Sequence, residues 1–283
     1  METRCLNAYY DERDDRFTLY IASQNPHGLR MTLSAVIGLA PEHKLRVISE
    51  DVGGGFGSKA FNYSEEVICA WASKVVGRPV KWTADRNEAF LTDAHGRDQL
   101  AHAEMYLDED KNITGLKVSI TANMGAYLST FGSLIPTYMC VPLLSGQYAI
   151  PAIYAEVKGV YTNTSPVDAY RGAGRPEAAF IIERLVDLAA RKTGTSPVDL
   201  RRKNFIQKFP YQTPVLSTYD CGDYEKALST ALELISFESF ELRRKESERR
   251  GMLRGIGLST WIEAAGIGPS KKLGELGSGA GLW

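Results

Sequence analysis

The sequence lacks the features that mark metal-cluster, membrane and nucleic-acid-binding proteins. Its 283 residues include four cysteines, none of them in a C-x-x-C pair, which argues against a zinc ribbon or a chain-local iron–sulfur cluster. Lys and Arg (33) balance Asp and Glu (34) to a net charge of -1, so a basic footprint for nucleic acid is absent. No apolar run could span a bilayer, and the first residues have no signal-peptide core. These absences predict a cytoplasmic protein.

What the sequence does contain is typical of a globular protein. Apolar residues make up 44% and charged residues 24%, both close to globular averages. The clearest local pattern is a strand at 44–52, a glycine turn, a helix at 62–76 and a strand at 78–86, which predicts a βαβ-like unit. Further patterns predict a helix at 29–40, a hairpin at 101–127, a helix at 177–194, one long helix at 224–250 and a strand at 251–270.

A glycine-rich stretch, EDVGGGFGSKA at 50–60, has three interpretations. A phosphate-binding P-loop counted from Gly53 requires glycine at 58 and Ser or Thr at 60, and Ser58 and Ala60 exclude it. The pattern Gly55-x-Gly57-x-x-Ala60 fits a dinucleotide-binding turn, with Asp85 after the next strand as the ribose-binding acid. The third interpretation is a purely structural turn. The stretch alone leaves the last two open.

Two further stretches bear on this choice. AYRGAGRPEA, at 169–178, also places glycines at a turn before a helix, so two backbone loops are expected to converge on one bulky ligand through their N–H groups. IASQNPHG, at 21–28, places Gln24 and Asn25 at the end of a strand, where an amide could donate to an oxo or carbonyl group.

In this order, SQNPHG, EDVGGGFGSK and AYRGAGRPEA resemble the large subunit of the molybdenum hydroxylases, which include xanthine dehydrogenase, aldehyde oxidase and aerobic carbon monoxide dehydrogenase. RNEAFLTDAHGRD, NMGAY and GIGLSTWIEAAGIGP extend the resemblance over nearly the whole chain. It implies an α+β fold, not a Rossmann fold. It also implies a first molybdenum-cofactor-binding domain at residues 1–218, without its N-terminal neighbour, and the truncated beginning of a second at 219–283. The chain is therefore expected to be a fragment, inactive by itself.

The resemblance also implies which residues face a molybdopterin-type cofactor. Gln24 matches a glutamine that hydrogen-bonds a molybdenum oxo ligand. The residues expected to contact the cofactor are Gln24, Gly54, Gly55, Phe56, Gly57, Arg171, Gly172, Ala173 and Gly174. The substrate pocket is expected to include Phe56, Ala60, Met139 and Arg171. The pterin, and no side chain, is expected to hold the metal. The family's general-base glutamate is expected beyond residue 283, so no catalytic residue is assigned here, and Glu263 is not given that role.

The second loop also bears on the subfamily and the substrate. Its AYRGAGR form is similar to the second type of carbon-monoxide-dehydrogenase-like large chains. Copper-containing members place a cysteine in this loop, whereas Arg171 is followed here by Gly172, so no copper is expected. The family's purine-binding glutamate is replaced by Ala60, and its purine-facing arginine falls near Met139, which disfavours a purine. The expected substrate is an aldehyde, an N-heterocycle or a similar small molecule, hydroxylated with oxygen from water.

The resemblance finally implies partner chains. These are a medium subunit that binds FAD and a small subunit that carries 2Fe-2S clusters, in a dimer of heterotrimers. The alternative from another class is a non-catalytic remnant or interaction subunit that keeps the fold but binds no cofactor. A dinucleotide-binding dehydrogenase is a distant third.

Overall fold

Two larger sheets and one two-stranded sheet organise residues 1–264. The computed structural model describes residues 1–264. The strands are β1 (Cys5–Asp11), β2 (Arg16–Ile21), β3 (Leu45–Ile48), β4 (Val80–Thr83), β5 (Gln99–Leu107), β6 (Ile113–Gly125), β7 (Ile153–Tyr161), β8 (Tyr211–Gln212) and β9 (Thr218–Tyr219). The α-helices are α1 (Pro26–Met31), α2 (Ser64–Val76), α3 (Arg86–Thr92), α4 (Arg175–Thr193), α5 (Pro197–Asn204), α6 (Tyr224–Leu234) and α7 (Phe240–Arg249).

The first sheet has the strand order β3-β2-β1-β4. Strand β1 pairs antiparallel with β2 and β4, and β2 pairs parallel with β3. Phe17, Leu19 and Ile21 alternate along β2 and are buried, which is the period-2 pattern of a strand with one face on a core. Cys69 and Ala70 of α2 belong to the same core.

The predicted strand, helix and strand around the first glycine stretch are all present, but they do not form a simple βαβ unit. Strands β3 and β4 lie at opposite edges of the first sheet, with β2 and β1 between them. The predicted order of strand, helix and strand is confirmed, and β3 and β4 run in the same direction, but two other strands separate them. Periodicity within a segment carries no information about which strands become neighbours.

The second sheet has the order β5-β6-β7. Strands β5 and β6 pair antiparallel, which confirms the predicted hairpin, and β7 adds to β6 in parallel. The hairpin turn is closed by Asp108, whose Oδ1 accepts from Asn112 N–H at 2.8 Å. Val118 and Ile120 of β6 share a core with Ile182 and Val186 of α4.

Helix α4 confirms the helix predicted at 177–194 within two residues. Pro176 occupies its first turn, where a missing N–H costs nothing, and Gly194 ends it in the left-handed conformation at φ 61°. Its polar inward residue, Glu183, accepts from fully buried Arg201 of α5 at 2.8 Å.

Three predicted elements differ from the structure. The long helix at 224–250 is two helices, because Ser236 takes a left-handed φ of 50° between α6 and α7. The helix at 29–40 is shorter: α1 continues into one π-helical segment, Thr32–Val36. The strand predicted at 251–270 is absent from residues 251–264, and its remainder lies outside the described residues.

Among the helices of residues 1–264, none combines the length and the apolar character that crossing a membrane requires.

Candidate functional site

The site begins where β2 ends. Asn25 caps α1 by accepting from Gly28 N–H at 3.1 Å, which fixes the turn after the strand. The backbone N–H of Gln24 donates to Lys59 O at 3.1 Å, and the exposed side chain of Gln24 reaches the glycine stretch. There its Oε1 accepts from Gly57 N–H at 3.0 Å. Because the amide oxygen is used in this way, the amide nitrogen is the group that remains to donate.

The glycine stretch forms a loop with several residues in the left-handed region. Gly54 and Gly57 have φ values of 86° and 100°, and Phe56 has a φ of 53°. A left-handed aromatic residue is uncommon and carries a conformational cost, so its surroundings must hold it there. A Cβ at Gly55 would overlap Gln24 Oε1. Glycine is therefore required for the loop to approach the glutamine amide.

The two glycine-rich loops touch. Arg171 N–H donates to Phe56 O at 2.9 Å, and a Cβ at Gly57 would overlap the carbonyl oxygen of Ala169. The guanidinium of Arg171 also lies 5.7 Å from the centroid of the Phe56 ring, within the range of a cation–π contact. The sequence prediction that 50–60 and 169–178 converge agrees with this geometry.

The C-terminal end of the second loop, at Gly174, packs against residues 135–140. Gly174 has a φ of 90°, and a Cβ there would overlap Ile135 O and crowd Met139 C. Ala60, at the end of the first loop, lies beside Asn25, whose Nδ2 donates to Ala60 O at 3.3 Å. Of the predicted pocket residues, Phe56 and Arg171 are in contact, whereas Ala60 and Met139 lie beside opposite ends of the joined loops.

The joined loops present a set of free hydrogen-bond donors. Within residues 1–264, no acceptor is found for the backbone N–H groups of Gly55, Phe56, Gly172 and Gly174. Helix α4 begins directly after Gly174 without a side-chain cap, so its positive dipole end faces the same loop. Unpaired N–H groups and a helix N-terminus favour negative charge. Donors of this kind fit an anionic or oxo-bearing group at the joined loops.

Several supporting residues were missed by sequence reasoning. Arg97 has a φ of 62°, donates from its guanidinium to Arg171 O and stacks at 4.8 Å over Tyr170. Buried Asp168 accepts from Ala169 N–H at 2.6 Å and Phe131 N–H at 2.9 Å, and burial raises its pKa. The sequence feature that could have indicated these residues is the presence of polar side chains next to glycines, in HGRD at 95–98 and VDAYRG at 167–172.

One cysteine lies close to the second loop. A Cβ at Gly174 would crowd Cys140 N, and Cys140 itself is fully buried. Burial raises the pKa of its thiol to about 12, so near neutral pH it stays protonated. The thiol is thus enclosed within the fold and is not exposed at the loop surface.

The mixed fold and the pair of glycine loops place the chain in a known family. The profile of the molybdopterin cofactor-binding domain matches residues 1–205, and the chain belongs to that family. This confirms the predicted resemblance and the α+β fold class of the molybdenum hydroxylase large subunit.

Individual relatives agree with this assignment. The chain is 40% identical, over 99% of its length, to the carbon monoxide dehydrogenase large chain of Hydrogenophaga pseudoflava, of which it covers 36%. It is 33% identical, over 94% of its length, to the nicotine 6-hydroxylase large subunit of Paenarthrobacter nicotinovorans, of which it covers 33%. The crystal structure of quinoline 2-oxidoreductase from Pseudomonas putida 86 superposes with a TM-score of 0.92 at 33% identity, over 99% of this chain and 36% of that one. The chain thus spans about a third of the length of these relatives.

Proposed function

We propose that this chain forms the cofactor-facing part of the catalytic subunit of a molybdenum-dependent hydroxylase or dehydrogenase. One observation carries the proposal: two glycine loops meet through the Arg171–Phe56 hydrogen bond, and in the first loop, which the Gln24 amide contacts at Gly57, the N–H groups of Gly55 and Phe56 find no acceptor within residues 1–264. Oriented donors in a fixed frame stabilise charge that develops on an oxygen without having to reorganise.

Each residue of the site would have a distinct role toward a bound cofactor or substrate. When bound, a molybdopterin-type cofactor would supply the oxygen-transfer and electron-transfer chemistry. The amide nitrogen of Gln24 would donate to an oxo group, and Gly55 and Phe56 would add backbone donors at the same face. Gly172 would approach it from the second loop, whereas Gly174 would shape that loop from its buried end. The Phe56 ring would exclude water, and Arg171 would orient an electron-rich substrate atom.

We infer that the substrate is an N-heterocycle, an aldehyde or a similar small molecule, hydroxylated with oxygen from water. Ala60 and Met139 stand at the positions where the family's purine-binding members are expected to carry charged residues, and their uncharged side chains disfavour a purine. Two of the similar proteins are named for nicotine and quinoline, which are both N-heterocycles.

Copper is not expected in this site, although one relative is a carbon monoxide dehydrogenase. Gly172 follows Arg171 and supplies no thiolate, and the nearby thiol of Cys140 is fully buried. Elemental analysis of the native complex tests this proposal together with the cofactor assignment. We expect molybdenum in stoichiometric amount without copper. Stoichiometric copper would overturn the copper assignment, and an active enzyme without molybdenum would overturn the proposed function. A complex with neither metal nor activity would favour the non-catalytic, interaction-subunit alternative.

The remaining assignments follow from the family. We propose an FAD-binding medium subunit and a 2Fe-2S small subunit as partners, a dimer of heterotrimers, and a cytoplasmic location. We further propose a domain boundary near residue 218, with the first cofactor-binding domain before it and the beginning of a second one after it. The residues of that second part beyond 264 lie outside the described range.

A further inference from the structure

A buried lysine lies beneath the first glycine loop. The side chain of Lys59 is 1% exposed, and its Nζ lies 2.7 Å from Glu2 Oε2. The same carboxylate oxygen accepts from Gly53 N–H at 2.9 Å. The backbone N–H of Glu2 donates in return to Gly53 O at 2.9 Å. One residue, Glu2, therefore holds both the first and the last part of the loop.

Lys59 also fixes the neighbouring glutamine through its main chain. Its carbonyl oxygen accepts from Gln24 N–H at 3.1 Å and from the Ser23 hydroxyl at 3.3 Å. The Gln24 side chain then accepts from Gly57 N–H. These contacts connect Lys59, Gln24 and Gly57. A displacement of Lys59 would therefore move both the loop backbone, with its unpaired N–H groups, and the Gln24 amide.

The energetics favour an ordered pair here. A buried ammonium is costly unless it is paired, and removal of one partner leaves an uncompensated charge. The bond from Lys59 is the largest cause that lowers the pKa of Glu2, followed by the bond from Gly53. Near neutral pH the carboxylate is therefore ionised and available to both.

We propose that the Glu2–Lys59 pair is a positioning device for the candidate site: it clamps both ends of the 53–59 loop and so sets the distance between the Gln24 amide and the N–H groups of Gly55 and Phe56. The inference rests on the proposed function for the identity of the ligand. The clamp itself makes no contact with the reacting atoms.

Single and double variants of the complete enzyme complex test this proposal. We expect Lys59→Met and Glu2→Gln each to speed hydrogen exchange of the hydrogen-bonded amides of Gly53, Gly54 and Gly57 about tenfold, the change that a loss of ~1.4 kcal/mol in local stability gives. Each should also lower molybdopterin and molybdenum content and alter the Mo(V) resonance signal. The double variant carries no unpaired buried charge. It should therefore recover most of the global unfolding midpoint while loop exchange and cofactor loss persist.

The matched control is Lys74→Met, since Lys74 pairs with Asp15 at 3.7 Å on the surface, with both side chains more than half exposed. We expect it to leave loop exchange and cofactor content unchanged. The proposal is overturned if the Lys59 and Glu2 variants behave like this control. Recovery of the cofactor along with the unfolding midpoint in the double variant would also overturn it, since that pattern shows a purely structural pair. A wild-type complex without molybdopterin would instead reject the proposed function, and loop exchange would still decide whether the clamp exists.

Discussion

Gln24 combines two hydrogen-bonding roles in one amide. Its oxygen accepts from Gly57 N–H at 3.0 Å, which ties it to the loop, and its nitrogen is free to donate to a ligand. The two roles can be separated because glutamate keeps the acceptor and loses the donor. This makes Gln24 the most informative single position for the proposed chemistry.

At this position we predict that Gln24→Ala and Gln24→Glu both lower kcat about 100-fold, the typical effect of removing one fixed donor at a developing charge. Assembly should be intact in both. Loop exchange should increase only in Gln24→Ala, because the glutamate still accepts from Gly57. Steady-state kinetics with exchange measurements check this, and unchanged kinetics in Gln24→Glu would refute the donor role.

Gly57 offers a matched test of loop contact. Gly57 and Gly38 both have positive φ, at 100° and 70°, but a Cβ at Gly57 would overlap Ala169 O, whereas a Cβ at Gly38 meets nothing within 4 Å. We expect Gly38→Ala to cost only backbone strain of about 1 kcal/mol. Gly57→Ala should cost more and release the cofactor, because the loops must separate. Equal unfolding midpoints for the two variants would contradict the contact.

At the scale of elements, sequence patterns correctly predicted those helices and strands that form through contacts between residues close in sequence. The β5–β6 hairpin and α4 follow from alternation, turn residues and a Pro and a Gly at the helix ends. The placement of β3 and β4 at opposite edges depends on strand pairing across the chain, and the Glu2–Lys59 bond joins residues 57 apart. The three site motifs were recognisable because each is a contiguous stretch. The clamp beneath them was not, since one member lies far away in sequence.

The start of α2 contains a titratable group with an expected pH effect. Glu66 is 5% exposed and its carboxylate accepts from Tyr63 N–H at 3.0 Å. Burial raises its pKa to about 8, so in the folded protein the carboxyl is protonated near neutral pH. Between its ordinary pKa and about 8 the folded state binds more protons than the unfolded state.

We therefore predict that this group makes stability fall as pH rises from about 5 to 8, by at most about 1.4 kcal/mol per pH unit. Glu66→Gln, which mimics the protonated carboxyl, should flatten that slope in urea unfolding across this range. Glu88→Gln is the control, because Glu88 forms a similar capping box with Asp85 at the start of α3 but is only partly buried. A wild-type slope in Glu66→Gln would disprove the assignment.

At the scale of the whole molecule, one carboxylate joins four parts of the chain. Glu183 of α4 accepts from Arg201 of α5 at 2.8 Å and from Thr260 N–H at 2.7 Å. It also accepts from the hydroxyl of Tyr148. All of these contacts lie against the larger hydrophobic core. The segment around residue 260 is therefore fastened without forming a strand.

We predict that Arg201→Met destabilises the fold by about 3–5 kcal/mol, since it strands a buried carboxylate. The adjacent Arg202, also in α5, pairs with Glu225 of α6 at 2.9 Å, with side chains 40% and 50% exposed. Arg202→Met should cost less than about 1 kcal/mol. Denaturant unfolding of both variants measures the difference, and similar midpoints would exclude a structural hub at Glu183.

Arg175 links the second loop to the last described residues. Its guanidinium donates to Gly172 O at 3.1 Å and to Ala264 O at 3.0 Å, and it pairs with Glu263 at 3.1 Å. A single side chain thus ties the second loop to residues 263–264. A displacement of that segment would therefore be transmitted to the candidate site through one guanidinium.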